Sequence, residues 1–248
     1  MSYPNILQEA KHKQILSKAE RFARISDRVD RSDLSVSVWE PLMKNALLQT
    51  WKDVILWKGI MEIALYPMLL YELQPKVIIE IGAFNGGSAL WLADHLEMFG
   101  IEGSVYSVDM DLSLLDDKAK THPRIHFFEG DANNLGTVIS PNFLSQLPHP
   151  WLVIEDADAD IVKVVEYLHH NGLKSGDYLI VEDTNQFVWD YWSAEGSLPE
   201  ETKIGRHRLR DLRDWLLKHE DEYLVDKYYQ DMHGYNGSKS WNSILKRI

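Results

Sequence analysis

The stretch V-I-I-E-I-G-A-F-N-G-G-S, Val77 to Ser88, constrains this chain more than any other. Apolar residues interrupted only by Glu80 read as a buried strand, glycines at 82, 86 and 87 as a tight turn, and Ser88 with A-L-W-L-A-D-H-L as the start of an amphipathic helix. Such a turn brings backbone N–H groups and a helix N-terminus close to a ligand, because glycine has no Cβ to hold it off. The spacing narrows the ligand. A dinucleotide fingerprint, G-x-G-x-x-G, needs glycine where Phe84 stands, and no Lys follows the glycines as a P-loop requires. What remains is E-x-G-x-x-x-G-G-S, whose carboxylate before the turn suits a cationic or amine-bearing ligand better than a phosphate.

Around this stretch the chain alternates. Strands are expected at Val77–Ile81, Ser104–Val108, Ile125–Phe128, Trp151–Ile154 and Tyr178–Val181, with helical patterns at Ser88–Phe99, Leu112–Lys120, Asn142–Leu147 and Asp160–Asn171 between them. Strand, helix, strand at this spacing means α/β: a parallel sheet with helices on both faces, its ligand beyond the carboxyl ends of the strands. Upstream, residues 4 to 25 have a helical period, 26 to 37 read as a polar linker, and a second helical pattern leads to a helix interrupted by Pro67. The expected division is an N-terminal helical extension, 1–56, and a cofactor-binding domain, 57–248. Downstream, residues 185 to 205, with Trp189 and Trp192, lack a period and form a candidate lid before an Arg-rich helix. The ending reads as two strands joined by a glycine-rich hairpin.

Every strand of the alternation is closed, or nearly closed, by a carboxylate: Glu80, Asp109, Asp131, Asp156 with Asp158, and Glu182 with Asp183. Asp109, after the second strand, is placed to accept hydrogen bonds from ribose hydroxyls. Asp131 reads either as a ligand contact or as a turn-forming residue. Asp156, Glu182 and Asp183 would be delivered to one point by adjacent strands, where mutual repulsion raises their pKa values unless a cation relieves it. The chain has no Cys, so a metal must be held by oxygen or imidazole, and carboxylates alone indicate Mg²⁺, with Mn²⁺ or Ca²⁺ possible. The alternative is that basic residues of the lid helix, Arg206, Arg208 and Arg210, partner these acids. With 26 basic against 38 acidic residues, net charge -12, a nucleic-acid surface is not expected and a small-molecule partner is. The N-terminus lacks an apolar signal core and no stretch reaches the roughly 18 apolar residues of a membrane span, so a cytoplasmic protein is expected.

The turn resembles motif I of class I S-adenosylmethionine-dependent methyltransferases. From about Trp57 to Arg247 the chain further resembles the cephalosporin hydroxylase family, a branch of metal-dependent methyltransferase-like proteins. The resemblance is carried by W-K-G-I, L-Y-E-L-Q-P-K-V-I-I-E-I-G-A-F-N-G-G-S-A-L-W, S-V-D-M-D, L-V-I-E-D-A, G-D-Y-L-I-V-E-D-T and the S-I-L-K-R ending. It implies a Rossmann-like seven-stranded sheet with an antiparallel last strand. It also implies S-adenosylmethionine as cofactor, with Glu80 near the methionine portion, Asp131 near the adenine amino group, and Gly82, Phe84, Gly86, Ser88, Asp109 and Asp156 completing the site. The family's metal acids fall on Asp156, Glu182 and Asp183. A histidine many relatives carry in a D-x-D-H segment is replaced by Ala159, leaving the base unassigned.

The expected reaction is methyl transfer to a hydroxyl of a small molecule such as a polyketide, a glycoside or an antibiotic precursor. The sulfonium carries the activation and the protein aligns nucleophile and methyl. His233, Tyr235 and His207 are the base candidates, with Lys239 beside them. Hydroxylation of the cephalosporin type and non-catalytic S-adenosylmethionine binding are the rival readings. A homo-oligomer through the N-terminal helices is expected.

Overall fold

The computed structural model describes residues 2–188 and 207–248. The main sheet has strands β1 (Phe22–Ala23), β4 (Val77–Ile81), β5 (Ser104–Asp109), β6 (Ile125–Glu129), β7 (Trp151–Glu155), β8 (Tyr178–Val181), β9 (Tyr223–Asp226) and β10 (Ile244–Arg247), while β2 (Thr50–Trp51) and β3 (Val54–Ile55) form a separate hairpin. Its order is β1-β9-β10-β8-β7-β4-β5-β6. From β6 to β8 all neighbours are parallel, and β10 lies antiparallel to both β8 and β9. That is the expected seven-stranded arrangement with a reversed last strand, extended by one edge strand, β1, antiparallel to β9.

The central strands are continuous apolar runs because helices cover both faces. β4, β7 and β8 are buried at every position. On one face Ile79, Ile81, Val153 and Leu179 pack with Val164, Leu168, Leu212 and Trp215 from the helices Ile161–Asn171 and Arg208–Leu216. On the other, Ile78, Val105 and Ile154 pack with Leu65, Leu69, Trp91 and Leu92 from the helices Ile60–Leu73 and Gly87–Met98.

The N-terminal region departs from the expected helix over 4 to 25, which ends at Ala19, and from the polar linker after it. Residues 22–28 are pinned to the sheet: Phe22 and Ala23 form β1, and Arg21 is bound to Asp226 at 2.7–2.9 Å. The buried Arg28 reaches Asp231 at 2.6 and 2.7 Å, Asn242 at 2.8 Å and Asn236 at 3.1 Å. The preceding helix, Tyr3–Ala19, buries no residue. The hairpin β2–β3 follows the second helical pattern, where Lys52 and Asp53 both take positive φ, 50° and 66°, the geometry of a two-residue hairpin turn. Among the described residues no helix is long and apolar enough to cross a membrane.

Candidate functional site

At the carboxyl ends of β4, β5, β6 and β7 lies a cavity of about 370 Å³. Gly82 leaves β4 with φ 104°, its N–H bonded to the Val108 carbonyl at 2.8 Å, and a Cβ there would strike the Asp156 carbonyl oxygen. Glycine is therefore required by the neighbouring backbone as well as by the turn. Phe84 follows at φ 47° and lines the cavity, its ring edge-on to that of Trp57 at 5.5 Å. The Phe84 N–H donates to Asp109 Oδ2 at 2.7 Å and the Asp111 N–H to Oδ1 at 3.1 Å, which fixes the Asp109 carboxylate at the cavity wall.

The expected cofactor residues divide in two. Gly82, Phe84, Ser88, Asp109, Asp131 and Asp156 line the cavity; Glu80 and Gly86 do not. Glu80 is fully buried beneath the turn, where Ser107 Oγ donates to it at 2.6 Å and Ser88 is a further donor; burial raises its pKa. Gly86 is a packing residue, since its φ is 79° and a Cβ would crowd Ala119, Leu115 and Phe127. Asp131 reaches the wall as the turn-former, accepting from Asn133 N at 2.8 Å and from the Asn133 and Asn134 side-chain amides at 3.0 Å. None of His233, Tyr235 and His207 lines the cavity. Tyr235 binds the Val29 N–H at 2.8 Å under the Arg28 guanidinium, and His207 is exposed at a helix start. Lys239, from the same loop as two of these candidates, does line it.

Asp156, Glu182 and Asp183 do converge, because Asp156 N–H bonds to Ile81 O and Glu182 N–H to Glu155 O, both at 2.8 Å, setting the strand ends level. Asp183 holds its turn at φ 56°, a strained conformation for a residue with a Cβ. Among the described residues, two lysines lie against these acids. Lys58 Nζ lies 2.5 Å from Asp156 Oδ2 and 2.9 Å from Glu182 Oε1, and Tyr66 OH donates to the same Glu182 oxygen at 2.5 Å. Lys239 Nζ lies 2.7 Å from Glu182 Oε2, 3.1 Å from Asp183 Oδ1 and 3.7 Å from Asp156 Oδ1. Burial and the Glu182 charge push the Asp156 carboxyl up to about 8, more than its lysine partners offset. Burial would also raise Glu182, yet Lys239 and Lys58 reverse this and hold it well below the usual range.

Arg208 serves the strand ends differently: it donates to the carbonyls of Ala157 at 2.8 Å and Glu182 at 3.2 Å, and pairs with the buried carboxylate of Glu155. Lys58, Tyr66 and Glu155 are site residues that reading strand ends missed. The available signal was W-K-G, a lysine amid an otherwise apolar run. Trp189, Trp192 and Arg206 lie outside the described residues, as does most of the expected lid; Val188 at its start lines the cavity.

Three carboxylates form an all-oxygen donor set of the type hard divalent cations take, so the residues fit Mg²⁺ in kind. As placed, they surround an ammonium. Among the described residues, the groups whose ligand atoms all lie within 4.8 Å of one another are His169, His219 and Glu222, and Asp94, Glu97 and His122; neither lines the cavity.

Residues 44–247 match the family described as Rhamnosyl O-methyltransferase/CmcI. Rhamnosyl O-methyltransferases of Mycobacterium tuberculosis and Mycobacterium bovis are 30% identical to this chain over 139 residues, covering 55% of it and 57% of their own length. That of Mycobacterium leprae is 32% identical over 139 residues, covering 55% and 60%. The chain thus spans a little over half the length of the curated relatives it matches. Among solved structures, CmcI described with Mg-SAM superposes with a TM-score of 0.63 at 26% identity, covering 82% of this chain and 77% of that one. CmcI described with SAH gives 0.60 at 26%, covering 81% and 82%.

Proposed function

This chain belongs to the Rhamnosyl O-methyltransferase/CmcI family, and from that premise we propose that it transfers a methyl group from S-adenosylmethionine to a hydroxyl of a small molecule. The observation that carries the reading is the wall of the cavity: a motif-I turn and the fixed carboxylate of Asp109 on one side, the acids of Asp156 and Asp183 on the other. Asp109 offers its remaining lone pairs to ribose hydroxyls. Phe84 and Trp57 give the nucleoside side an aromatic surface.

In the reaction the methyl carbon forms a bond to the acceptor oxygen, the C–S bond breaks with its electron pair going to sulfur, and the hydroxyl proton leaves to a base. Alignment and water exclusion are the protein's main contribution. Among the described residues, Asp158 in the cavity wall makes no hydrogen bond or ion pair. Burial raises its pKa, Arg208 opposes this, and Asp183 adds to it, which suits it to receive that proton. Asp156, Glu182 and Asp183 would hold Mg²⁺ (or Mn²⁺), which when bound lowers the pKa of a coordinated hydroxyl. For the acceptor we favour a sugar hydroxyl of a natural-product glycoside, since the mycobacterial relatives are named rhamnosyl O-methyltransferases; polyketide and antibiotic-precursor hydroxyls fit the same chemistry. The exposed helix Tyr3–Ala19, with Ile6, Leu7, Ile15 and Leu16 outward, supports a homo-oligomer, and the proposal places the protein in the cytoplasm.

Incubation with isotope-labelled S-adenosylmethionine and a panel of glycosides and polyketides, followed by mass spectrometry, should reveal a methylated product. A chain that does not bind S-adenosylhomocysteine in a calorimetric titration would end this reading.

A further inference from the structure

Lys239 stands among all three acids, and the loop that carries it is built unlike a surface hairpin. Asn236, Ser238, Ser240, Asn242 and Ser243 are buried polar residues. Gln230 accepts from the N–H groups of Ser243 at 3.0 Å and Ile244 at 3.1 Å, while Arg28 holds Asn236 and Asn242. Lys239 itself is fixed at the backbone: its N–H donates to Glu62 Oε1 at 3.1 Å and its carbonyl accepts from Asn185 at 3.0 Å. Only its side chain has room to move, since it alone of the two lysines borders the cavity. Lys58 is sealed in, 1% exposed between Asp156 and Glu182. Lys239 reaches all three acids, whereas Lys58 lies against Asp156 and Glu182.

We propose that the Lys239 ammonium is the resident cation of this cluster and competes with the divalent metal for it, so that metal entry expels the lysine side chain into the cavity. The inference rests on the methyltransferase reading only in taking the cluster as a metal position. A rigid backbone with a flexible four-carbon stem is what an exchangeable charge needs: the ammonium can leave without unfolding its loop. In the metal-free site the resident lysine offsets part of the acids' mutual repulsion. It thereby weakens the metal's apparent affinity, because each binding event must break the Lys239 pairs with Glu182 and Asp183.

Calorimetric titration of Mg²⁺ and Mn²⁺ into the full chain, with and without S-adenosylhomocysteine, compares wild type, Lys239→Met and Lys239→Arg. Lys239→Met should bind Mn²⁺ at least tenfold tighter than wild type, Lys239→Arg no tighter, and Lys239→Met/Asp156→Asn should lose the gain. Wild type supplies a second measurement should Lys239→Met fail to fold. Acetylation of Lys239 by an amine-reactive ester, followed by mass spectrometry, should be slow in chelator and accelerate on adding Mn²⁺. Mn²⁺ affinity that is unchanged or weaker in Lys239→Met, absence of Mn²⁺ binding to both proteins, or Lys239 labelling indifferent to Mn²⁺ overturns the competition. Loss of S-adenosylhomocysteine binding in the same titrations would instead count against the cofactor reading, leaving the metal comparison intact.

Discussion

Lys58→Met tests how the acidic cluster is held together. Methionine has nearly the shape of lysine but no charge, so the substitution leaves Asp156 and Glu182 facing each other across the vacated ammonium position, with Tyr66 OH still on Glu182. Removing one partner of a buried ion pair costs about 3–5 kcal/mol, most of it the penalty of the charge left behind. Asp156 can discharge part of that by taking a proton, since its carboxyl is already pushed up to about 8, which places the cost near the lower bound at pH 7. At ~2–4 °C per kcal/mol for a chain of this size, the melting temperature should fall by about 6–12 °C. The assay is thermal unfolding in chelator, followed by circular dichroism, on Lys58→Met, Asp156→Asn and the double variant. Once Asp156 is already amide, Lys58 has one pair fewer to lose, so the two changes should fall short of additivity by at least ~1 kcal/mol. A single-variant cost under about 1 kcal/mol, or strict additivity in the double, would refute the paired arrangement.

Asp109→Ala should weaken S-adenosylhomocysteine binding by about 1.5–3 kcal/mol, roughly ten- to over a hundredfold in Kd by calorimetry, because it removes charged acceptors and unpins the Phe84 N–H. Burial, aided by Glu182, pushes the Glu62 carboxyl up to about 7, and burial pushes Glu155 to about 7 as well. The native state then holds these protons between about pH 4.5 and 7 where the unfolded chain has lost them, so stability should fall as pH rises through that window. Glu62→Gln should reduce the fall without abolishing it in urea titrations at pH 5 and 8, because Glu155 and Asp156 add to it, and an unaltered slope would discount its buried proton. Tyr235→Phe should cost about 1 kcal/mol of stability through the lost Val29 contact yet leave the methyl-transfer rate within twofold; a collapse in rate would return Tyr235 to the list of base candidates.

The strand ends were legible because parallel strands buried on both faces announce themselves as apolar runs, and whatever polar residue closes them must face the ligand edge. Asp109, Asp156 and Asp183 were found that way. Gly86 sits against Ala119 rather than in the cavity wall, a difference that two glycines do not show in a sequence. Lys58 and Tyr66 come from residues before the first strand of the alternation and meet Glu182 more than a hundred positions later, a separation no local pattern encodes. Two of the base candidates, His233 and Tyr235, were chosen for side-chain chemistry in a stretch, M-H-G-Y-N-G-S-K-S, that reads as a solvated hairpin. Its polar residues turned out to be the inside of a self-bonded loop that presents Lys239 and turns Tyr235 toward the N-terminal segment.

Arg28 lies outside the span shared with the family, residues 44–247, yet it ties together Asp231, Asn236 and Asn242, the frame of the loop that carries Lys239. The stretch that must be inherited together is thus longer than the stretch that is similar. A recombinant joining this chain's residues 44–248 to another member's leading segment would keep every cavity-lining residue but Met43 and lose the fastening of one of them. Divergence before residue 44 is therefore a route by which members with the same cavity could come to differ in how firmly that lysine is held.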